Sequence, residues 1–351
     1  MNAEQTPTQS TQGPSPVTAS PKPVVIDSDV SPDDWTALPY LLQHPGVDVK
    51  AITASGTGEA HSGPGVRNVQ GLLALAGKPD IPVAGGSPTP LQGNHSFPSL
   101  MRWAIDHRMA LRLPANPRPP SPKTGVELLA SAILDSPQKV TMITFGPLTT
   151  PAELLQTHPE VIDNLEMVYS MGGAIDAPGN IRELRPFSKN TVAEWNIYVD
   201  PRAANVVFES GVPFTLVPLD ATDRIPTTMA FYQRLQADRT TPAAEFSYKT
   251  LGRMKLGIRF NRCLLWDPIT AAVAVDESLG TFEIRNLRVI EEEGPESGRT
   301  LATTDGPSVR VCTTVDAARF EQTLLGTLNG RPPTSVDRTT HSAGTAHTQT
   351  D

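Results

Sequence analysis

Short runs of apolar, often β-branched residues alternate along the chain with longer amphipathic stretches. The apolar runs are PVVID (23–27), VDVKAIT (47–53), IPVAGG (81–86), KVTMITFG (139–146), LEMVYSMGG (165–173) and FTLVPLD (214–220). Runs that are apolar on both faces are typical of strands covered by helices on each side, as in a parallel sheet. The stretches at 64–78 and 123–137 have helical spacing with Gly or Pro near their ends. The pattern predicts an α/β fold with a mostly parallel, doubly wound sheet that binds ligands at the carboxyl ends of its strands.

The two ends of the chain lack this pattern. Residues 1–21 and 332–351 consist mostly of small polar residues and proline, so we predict a disordered tail at each end. Residues 22–331 show no linker-like change in composition and no convincing internal repeat, which predicts one domain. Within it, the proline-rich segment 92–122 predicts a partly irregular insertion of the kind that often forms an active-site lid.

Charge and composition exclude several classes of partner. The formal net charge is -8 and no basic stripe is present, which argues against nucleic acid or an anionic membrane as the main partner. The two cysteines, Cys263 and Cys312, are too few for a disulfide framework. No apolar run approaches the roughly 18 residues of a membrane span, and no signal peptide is recognisable. We therefore expect a cytoplasmic protein.

The stretch VVIDSDVSPDDWTAL (24–38) concentrates four aspartates, Asp27, Asp29, Asp33 and Asp34, directly after an apolar run. One interpretation is structural: Ser31-Pro32 with an acid two residues later is close to a helix capping box. That interpretation does not explain Asp27 and Asp29, which precede the helix start. Alternate side chains of an extended strand share a face, so the carboxylates of these two residues leave the strand end on the same side. Like charges gathered away from water must protonate or bind a cation, and oxygen ligands favour Ca²⁺ or Mg²⁺. The stretch therefore predicts a metal site beside a helix start.

Further motifs follow this stretch in a fixed order. They are VKAITASGTG (49–58), VRNVQGLLALAGKPDIPVAGGSPTPL (66–91), VTMITFGPLTT (140–150), MVYSMGGA (167–174), AEWNIYVDPRAANVVF (193–208), TLVPLDAT (215–222) and WDPITAAVAVD (266–276). Together with DSDVSPDDWTAL they resemble the inosine-uridine type nucleoside hydrolases, whose first motif is usually DxDxGxDDxxAL. The resemblance implies a Rossmann-like sheet, a calcium ion at the strand ends, and hydrolysis of ribonucleosides to ribose and free base for salvage. It also implies a homodimer or homotetramer.

The resemblance assigns roles to individual positions. Asp29 matches the aspartate that binds calcium and acts as the general base on water. The other matched calcium ligands are Asp34, Asp267 and the backbone carbonyl of Phe145. The positions matched to ribose binding are Asp33, Met171, Asn180, Glu194 and Asn196. Asp27 is expected to support the metal site rather than to bind the ion.

Three departures from the family pattern affect the expected mechanism. Ser31 replaces the usual glycine of the first motif, and we expect the turn to survive. The loop after the second strand lacks the usual sugar-contacting asparagine, whose place Glu59 or His61 could take. Trp266 replaces the histidine that protonates the leaving base in well-studied members. Tryptophan is no acid, but its ring could stack on the base, which favours purines; His61, His95, His107 and Asp223 are alternative acids.

Three other functions stay open. The same site could hydrolyse another N-ribosylated metabolite, or it could bind nucleosides or ribose without turnover. A phosphatase of the haloacid dehalogenase type also places a DxD motif after an apolar strand. That motif requires Thr or Val where this chain has Ser31, and it lacks the following pair of aspartates, so we disfavour it.

Overall fold

Parallel strands occupy the centre of the sheet in the computed structural model, which describes residues 20–331. The strands are β1 Lys22–Ser28, β2 Val47–Ala54, β3 Val83–Gly85, β4 Val140–Thr144, β5 Leu165–Met171, β6 Phe214–Val217, β7 Gly280–Val289, β8 Thr300–Ala302 and β9 Ser308–Val315. Their order across the sheet is β3-β2-β1-β4-β5-β6-β9-β7-β8. Strands β1 to β6 and β9 are parallel, whereas β7 runs antiparallel to β8 and β9. Of the predicted tails at 1–21 and 332–351, residues 1–19 and 332–351 lie outside the described residues.

Helices cover both faces of this sheet. They are α1 Asp34–Gln43, α2 Ser62–Leu75, α3 Ser99–Asp106, α4 Gly125–Leu134, α5 Thr149–Thr157, α6 Ile181–Leu184, α7 Trp195–Val199, α8 Pro201–Glu209, α9 Leu219–Thr222, α10 Met229–Ala237, α11 Pro242–Arg253, α12 Lys255–Arg259, α13 Trp266–Val275 and α14 Ala317–Leu328. Val24 and Ile26 of β1 pack in a core with α1, α2 and α13, whereas Val25 packs in a second core with α4, α5 and α8. The α/β prediction is confirmed, with the strands arranged as one α/β domain.

All six predicted strands are present, and the sheet is larger than predicted. The three strands at its far edge, β7 to β9, were not predicted. Most residues of β7 are exposed or half-buried, so this edge strand lacks the continuous apolar run that identifies the central strands.

The insertion at 92–122 is partly irregular, as predicted. It contains α3 and a short 3₁₀ turn in which Arg108, Met109 and Ala110 all have positive φ. Arg102 of α3 donates hydrogen bonds to the carbonyls of Gly56 and Ala60, at 2.7 and 3.0 Å. The insertion is therefore attached to the loop that follows β2.

Membrane-crossing helices are absent from residues 20–331: none of the helices there combines the length and the apolar character that a bilayer requires.

Candidate active site

The carboxyl ends of β1, β4 and β5 meet at one edge of the sheet. The parallel pairing sets Asp27 beside Thr144, and the N–H of Phe145 donates to the Asp27 carbonyl at 2.9 Å. Asp29 follows β1, Phe145 follows β4, and Met171 is the last residue of β5. The fold thus brings these three predicted site positions to the same edge.

Three buried carboxylates converge there. Oxygens of Asp29, Asp34 and Asp267 all lie within 4.8 Å of one another. Asp34 is the first residue of α1 and Asp267 the second of α13, so two helix starts face the end of β1. These are the three side chains that the sequence predicts as metal ligands.

Hydrogen bonds around Asp34 reconcile the two interpretations of the acidic stretch. The Ser31 N–H donates to Asp34 Oδ2 at 2.7 Å, and the Asp34 N–H donates back to Ser31 Oγ at 3.4 Å. This is the reciprocal pairing of a capping box, although the regular helix begins only at Asp34. Ser28 Oγ also donates to Asp34, at 2.8 Å. One turn therefore both starts the helix and orients a candidate metal ligand.

Ser31 takes on a role that a glycine could not perform. Its hydroxyl donates to Asp33 and lies 3.3 Å from Asp267 Oδ2. The positive φ of the turn, 65°, is at Val30, which is fully buried. A β-branched residue rarely adopts that conformation, so the turn is strained at Val30. The left-handed position of this turn is therefore Val30 and not Ser31.

Two glycines pack directly against Asp29. A Cβ at Gly58 would lie 2.0 Å from Asp29 Cβ, and one at Gly146 would lie 2.5 Å from it. Any side chain at either position would displace Asp29. Neither glycine was predicted to be a site residue, although Gly58 ends one family-like motif and Gly146 lies in another.

Burial and mutual repulsion dominate the electrostatics of the cluster. Burial, followed by the charges of the other cluster acids, raises the pKa of Asp29 and Asp267 well above the ordinary value. Burial also raises the pKa of Asp33, and that of Asp34 to about 6. Within residues 20–331, no lysine or arginine forms an ion pair with these aspartates. The cluster therefore needs protons or a cation, and its oxygen donors suit a hard divalent ion.

Asp27 lies beside this cluster but outside the triad. Thr53 Oγ1 donates to one of its oxygens, and the other oxygen has no hydrogen-bond partner in the described part of the chain. Burial raises its pKa to about 7. A supporting role for Asp27 stays a prediction.

Glu194 lies at the start of α7, where its carboxylate accepts three backbone N–H groups. The donors are Gly173, Asn196 and Ile197, at 3.0, 2.9 and 3.2 Å. Burial raises its pKa to about 7. Glu194 and Asn196 therefore belong to a helix start.

Asn196 links this helix start to the ends of β4 and β5. Its Nδ2 donates to the carbonyls of Phe145 and Met171, at 2.9 and 3.3 Å. Asn180 Oδ1 accepts the Trp195 N–H at 3.0 Å. The predicted ribose-binding residues thus surround the strand ends beside the acidic triad.

Glu59, and not His61, faces the acidic cluster from the loop after β2. The Glu59 N–H donates to Asp29 Oδ2 at 3.3 Å, and Glu59 Oε2 is buried without a partner within residues 20–331. Burial and then the charges of Asp33 and Asp34 raise its pKa well above the ordinary value. His61 instead contacts Asp106, 2.7 Å away.

Trp266 lies at the rim of the site, immediately before the buried Asp267. Its indole N–H donates to Asp223 Oδ1 at 2.8 Å. The other histidines considered as acids have partners elsewhere: His95 contacts the Tyr198 carbonyl and Glu293, and His107 contacts the Trp103 carbonyl.

Comparisons with known proteins identify the family to which this chain belongs. The sequence profile of the inosine-uridine preferring nucleoside hydrolases matches residues 24–322. A pyrimidine-specific ribonucleoside hydrolase, RihA, of Salmonella enteritidis is 38% identical over 218 residues. The match covers 61% of this chain and 66% of RihA, so the chain spans slightly less than two thirds of that relative's length.

Solved structures of similar proteins share the fold. A plant nucleoside hydrolase, PpNRh1, superposes with a TM-score of 0.75 at 28% identity. The match covers 88% of this chain and 99% of the PpNRh1 chain. A purine-preferring ribonucleoside hydrolase from Gardnerella vaginalis has a TM-score of 0.76 at 26% identity, covering 88% and 98%. The chain belongs to the inosine-uridine preferring nucleoside hydrolase family.

Proposed function

We propose that this protein hydrolyses the N-glycosidic bond of ribonucleosides to ribose and free base, with calcium as its metal. The observation that supports this most directly is the buried triad of Asp29, Asp34 and Asp267, whose oxygens lie within 4.8 Å of one another. A triad of carboxylates at a strand end, bordered by amide and carboxylate side chains, suits a polar sugar and a hard cation.

The donor set fits calcium. All three side chains offer carboxylate oxygens, and the Phe145 carbonyl lies at the same strand edge, where Gly146 packs against Asp29. We propose these four groups as the ligands, with Asp27 supporting them. A bound divalent cation would lower the pKa of water and neutralise the cluster.

Asp29 is the proposed general base. One of its oxygens accepts the Ser31 N–H at 3.3 Å, a donor that it shares with Asp34 Oδ2 at 2.7 Å. The other accepts the Glu59 N–H at 3.3 Å. These two weak bonds hold the carboxylate in one orientation and leave further lone pairs for a proton. These contacts support the proposal that Asp29 takes a proton from the attacking water.

The remaining acids and amides support the sugar as it becomes cationic. Cleavage of a glycosidic bond proceeds through an oxocarbenium-like transition state. Asp33, Glu194 and Asn196 are buried at the site, and preorganised negative groups there favour positive charge on the ribose ring. We propose that these three, with Asn180 and Met171, bind the ribose.

We further propose a preference for purine nucleosides. The support is Trp266, which directly precedes Asp267 of the acidic triad. The ring of a tryptophan at this position can stack on a base. The relatives do not decide the preference, because one is pyrimidine-specific and another purine-preferring.

The proposal extends to the cellular setting. Both cysteines are buried and free, which suits the reducing cytoplasm, where the free base would enter salvage. By resemblance to the family we propose a homodimer or homotetramer built from the domain at 22–331.

One experiment tests reaction, metal and base preference together. Purine and pyrimidine ribonucleosides are incubated with the full chain, in calcium or in chelator, and released reducing sugar is measured. We expect release that requires calcium and is faster for purines. Binding of inosine without release would support the non-catalytic binder. Release from N-ribosylated metabolites alone would identify a different hydrolase.

A further inference from the structure

Asp223 forms a hydrogen bond with Trp266. Within residues 20–331 it forms none with the candidate metal ligands. Its Oδ1 accepts the indole N–H at 2.8 Å. Asp223 follows α9, and its own N–H donates to the Leu219 carbonyl at 3.0 Å. The carboxylate is therefore presented from a fixed backbone position.

The backbone holds the two segments together independently of this side-chain pair. The Thr227 N–H donates to the Cys263 carbonyl at 2.9 Å, and Pro226 and Leu264 form an isolated β-bridge. Removal of the Asp223 carboxylate would leave both of these contacts in place. Asp223 is thus a residue that can be changed without losing the position of the α13 start.

The charge of Asp223 also acts on two other acids, Glu183 and Glu194. Burial and then the charge of Asp223 raise the pKa of Glu183 in α6, and the same charge contributes to the raised pKa of Glu194. The side chains of Asp223 and Glu183 stay accessible to solvent. Asp223 therefore combines a solvent-accessible carboxylate with a direct hydrogen bond to the indole of Trp266.

A carboxylate at this place has two physical effects on the indole. The hydrogen bond fixes the rotation of the ring, because the N–H has one direction in which to donate. A negative charge at the N–H edge also increases electron density on the ring face, which attracts a partner that becomes positive. A base that acquires a proton as it leaves is such a partner.

Resting on the proposed function, we propose that Asp223 is a positioning residue for the leaving base: it acts through Trp266 by fixing and polarising the indole, and does not itself contact the base. The contrasting hypothesis makes Asp223 a direct acid. The two differ in what happens when Trp266 can no longer donate a hydrogen bond.

A double-mutant cycle in the full chain separates them. Trp266→Phe keeps an aromatic face and removes the N–H donor, whereas Asp223→Ala removes the acceptor. We expect Asp223→Ala to lower kcat/KM for a purine nucleoside by roughly 10-fold, the scale of one charge-assisted hydrogen bond. In the Trp266→Phe background the same change should have almost no effect. An equal loss in both backgrounds would overturn the proposal.

Two further variants test charge and specificity. Asp223→Asn keeps an acceptor oxygen and loses the charge, so it should fall between the wild-type protein and Asp223→Ala. Glu183→Gln removes a nearby charge without touching Trp266 and should retain nearly wild-type kcat/KM. If Glu183→Gln matched Asp223→Asn, the effect would be general electrostatics and the proposal would be wrong.

Fluorescence gives a readout that does not depend on turnover. The chain has four tryptophans, and the difference between wild-type and Trp266→Phe emission isolates Trp266. Asp223→Ala should make this emission more accessible to acrylamide and weaken its quenching by a free purine base. An unchanged signal would contradict the proposal. Absence of nucleoside hydrolysis by the wild-type protein would instead refute the proposed function, and the fluorescence measurement would still decide the role of Asp223.

Discussion

The Asp33 carboxylate accepts the backbone N–H of Asp267 at 3.2 Å, although the two residues are 234 positions apart in sequence. The contact joins the turn after β1 to the start of α13. It holds Asp267, a proposed calcium ligand, in place through Asp33, which is not in the triad. The proposed metal site and the proposed ribose site are therefore joined by a hydrogen bond.

This link predicts different behaviour for two Asp33 variants. Asp33→Asn keeps an oxygen that can accept the Asp267 N–H, whereas Asp33→Ala removes it. We expect Asp33→Ala to weaken calcium binding by about 10- to 100-fold, the usual effect of losing a group that orients a metal ligand, and Asp33→Asn to weaken it much less. Both should raise KM for the nucleoside. Calorimetric calcium titration and steady-state kinetics measure the two effects, and equal calcium affinities for both variants would contradict the link.

Asp29 should be indispensable for turnover. Asp29→Asn has nearly the same shape but neither accepts a proton nor contributes a charge to the metal. We expect kcat to fall by roughly 10²- to 10⁴-fold, the usual contribution of a general base, together with weaker calcium binding. Asp163→Asn, at an exposed position, is the matched control and should behave like the wild-type protein. A kcat for Asp29→Asn equal to that of the wild-type protein would contradict the proposed mechanism.

The stability of the protein should depend on pH in opposite ways with and without calcium. Burial raises the pKa of Asp34 to about 6 and that of Glu194 to about 7, so the folded state binds protons more tightly than the unfolded state. Without metal, the free energy of unfolding should therefore rise as the pH falls from about 7 toward the ordinary carboxyl pKa of about 4. Calcium requires deprotonated carboxylates, so its stabilising effect should be largest above pH 7 and shrink below pH 6.

Urea unfolding at pH 8 and pH 5.5, in chelator and in calcium, measures both trends. A chelator-treated protein that is more stable at pH 8 than at pH 5.5 would show that these carboxyl groups do not carry raised pKa values.

Much of this arrangement could be predicted from sequence because its signals are local. The run PVVID predicts β1, and the capping pair of Ser31 and Asp34 predicts the helix start that follows it. The positions of Asp29, Asp34 and Asp267 at one strand edge follow from parallel pairing combined with the family motifs. The strand β7 was not predicted, because its residues at the sheet edge are mostly exposed or half-buried and lack a continuous apolar run.

The contacts that sequence could not predict are those between distant segments. Arg102 lies in a proline-rich insertion, and nothing in its neighbourhood indicates that it reaches the carbonyls of Gly56 and Ala60. The pairing of Asp223 with Trp266 joins positions 43 residues apart, for which neither periodicity nor a turn signal exists. Close packing of Gly58 on Asp29 likewise depends on where two loops meet.

Base preference should depend on Trp266. Trp266→Ala removes a ring whose stacking on a base contributes about 1 to 3 kcal/mol, so kcat/KM for purine nucleosides should fall by the corresponding factor, roughly 5- to 150-fold. Pyrimidine nucleosides have a smaller face and should lose less, which lowers the purine-to-pyrimidine ratio. Competition assays with inosine and uridine measure that ratio, and equal losses for both would show that the ring does not set the preference.

The packing of Gly58 against Asp29 gives the sharpest steric prediction. A Cβ at position 58 would lie 2.0 Å from Asp29 Cβ and 2.8 Å from its Cα, so Gly58→Ala must push Asp29 or its own loop away. We expect a loss of about 1 to 3 kcal/mol in stability, the usual cost of overpacking, together with weaker calcium binding and slower hydrolysis. Gly63→Ala is the matched control: it lies in the first turn of α2, its new methyl would meet only Arg67 Nη1 at 3.8 Å, and alanine favours a helix. Calcium titration and urea unfolding of both variants test the prediction. If Gly58→Ala bound calcium like the wild-type protein, Asp29 could not be held in the position from which its role as ligand and base is inferred.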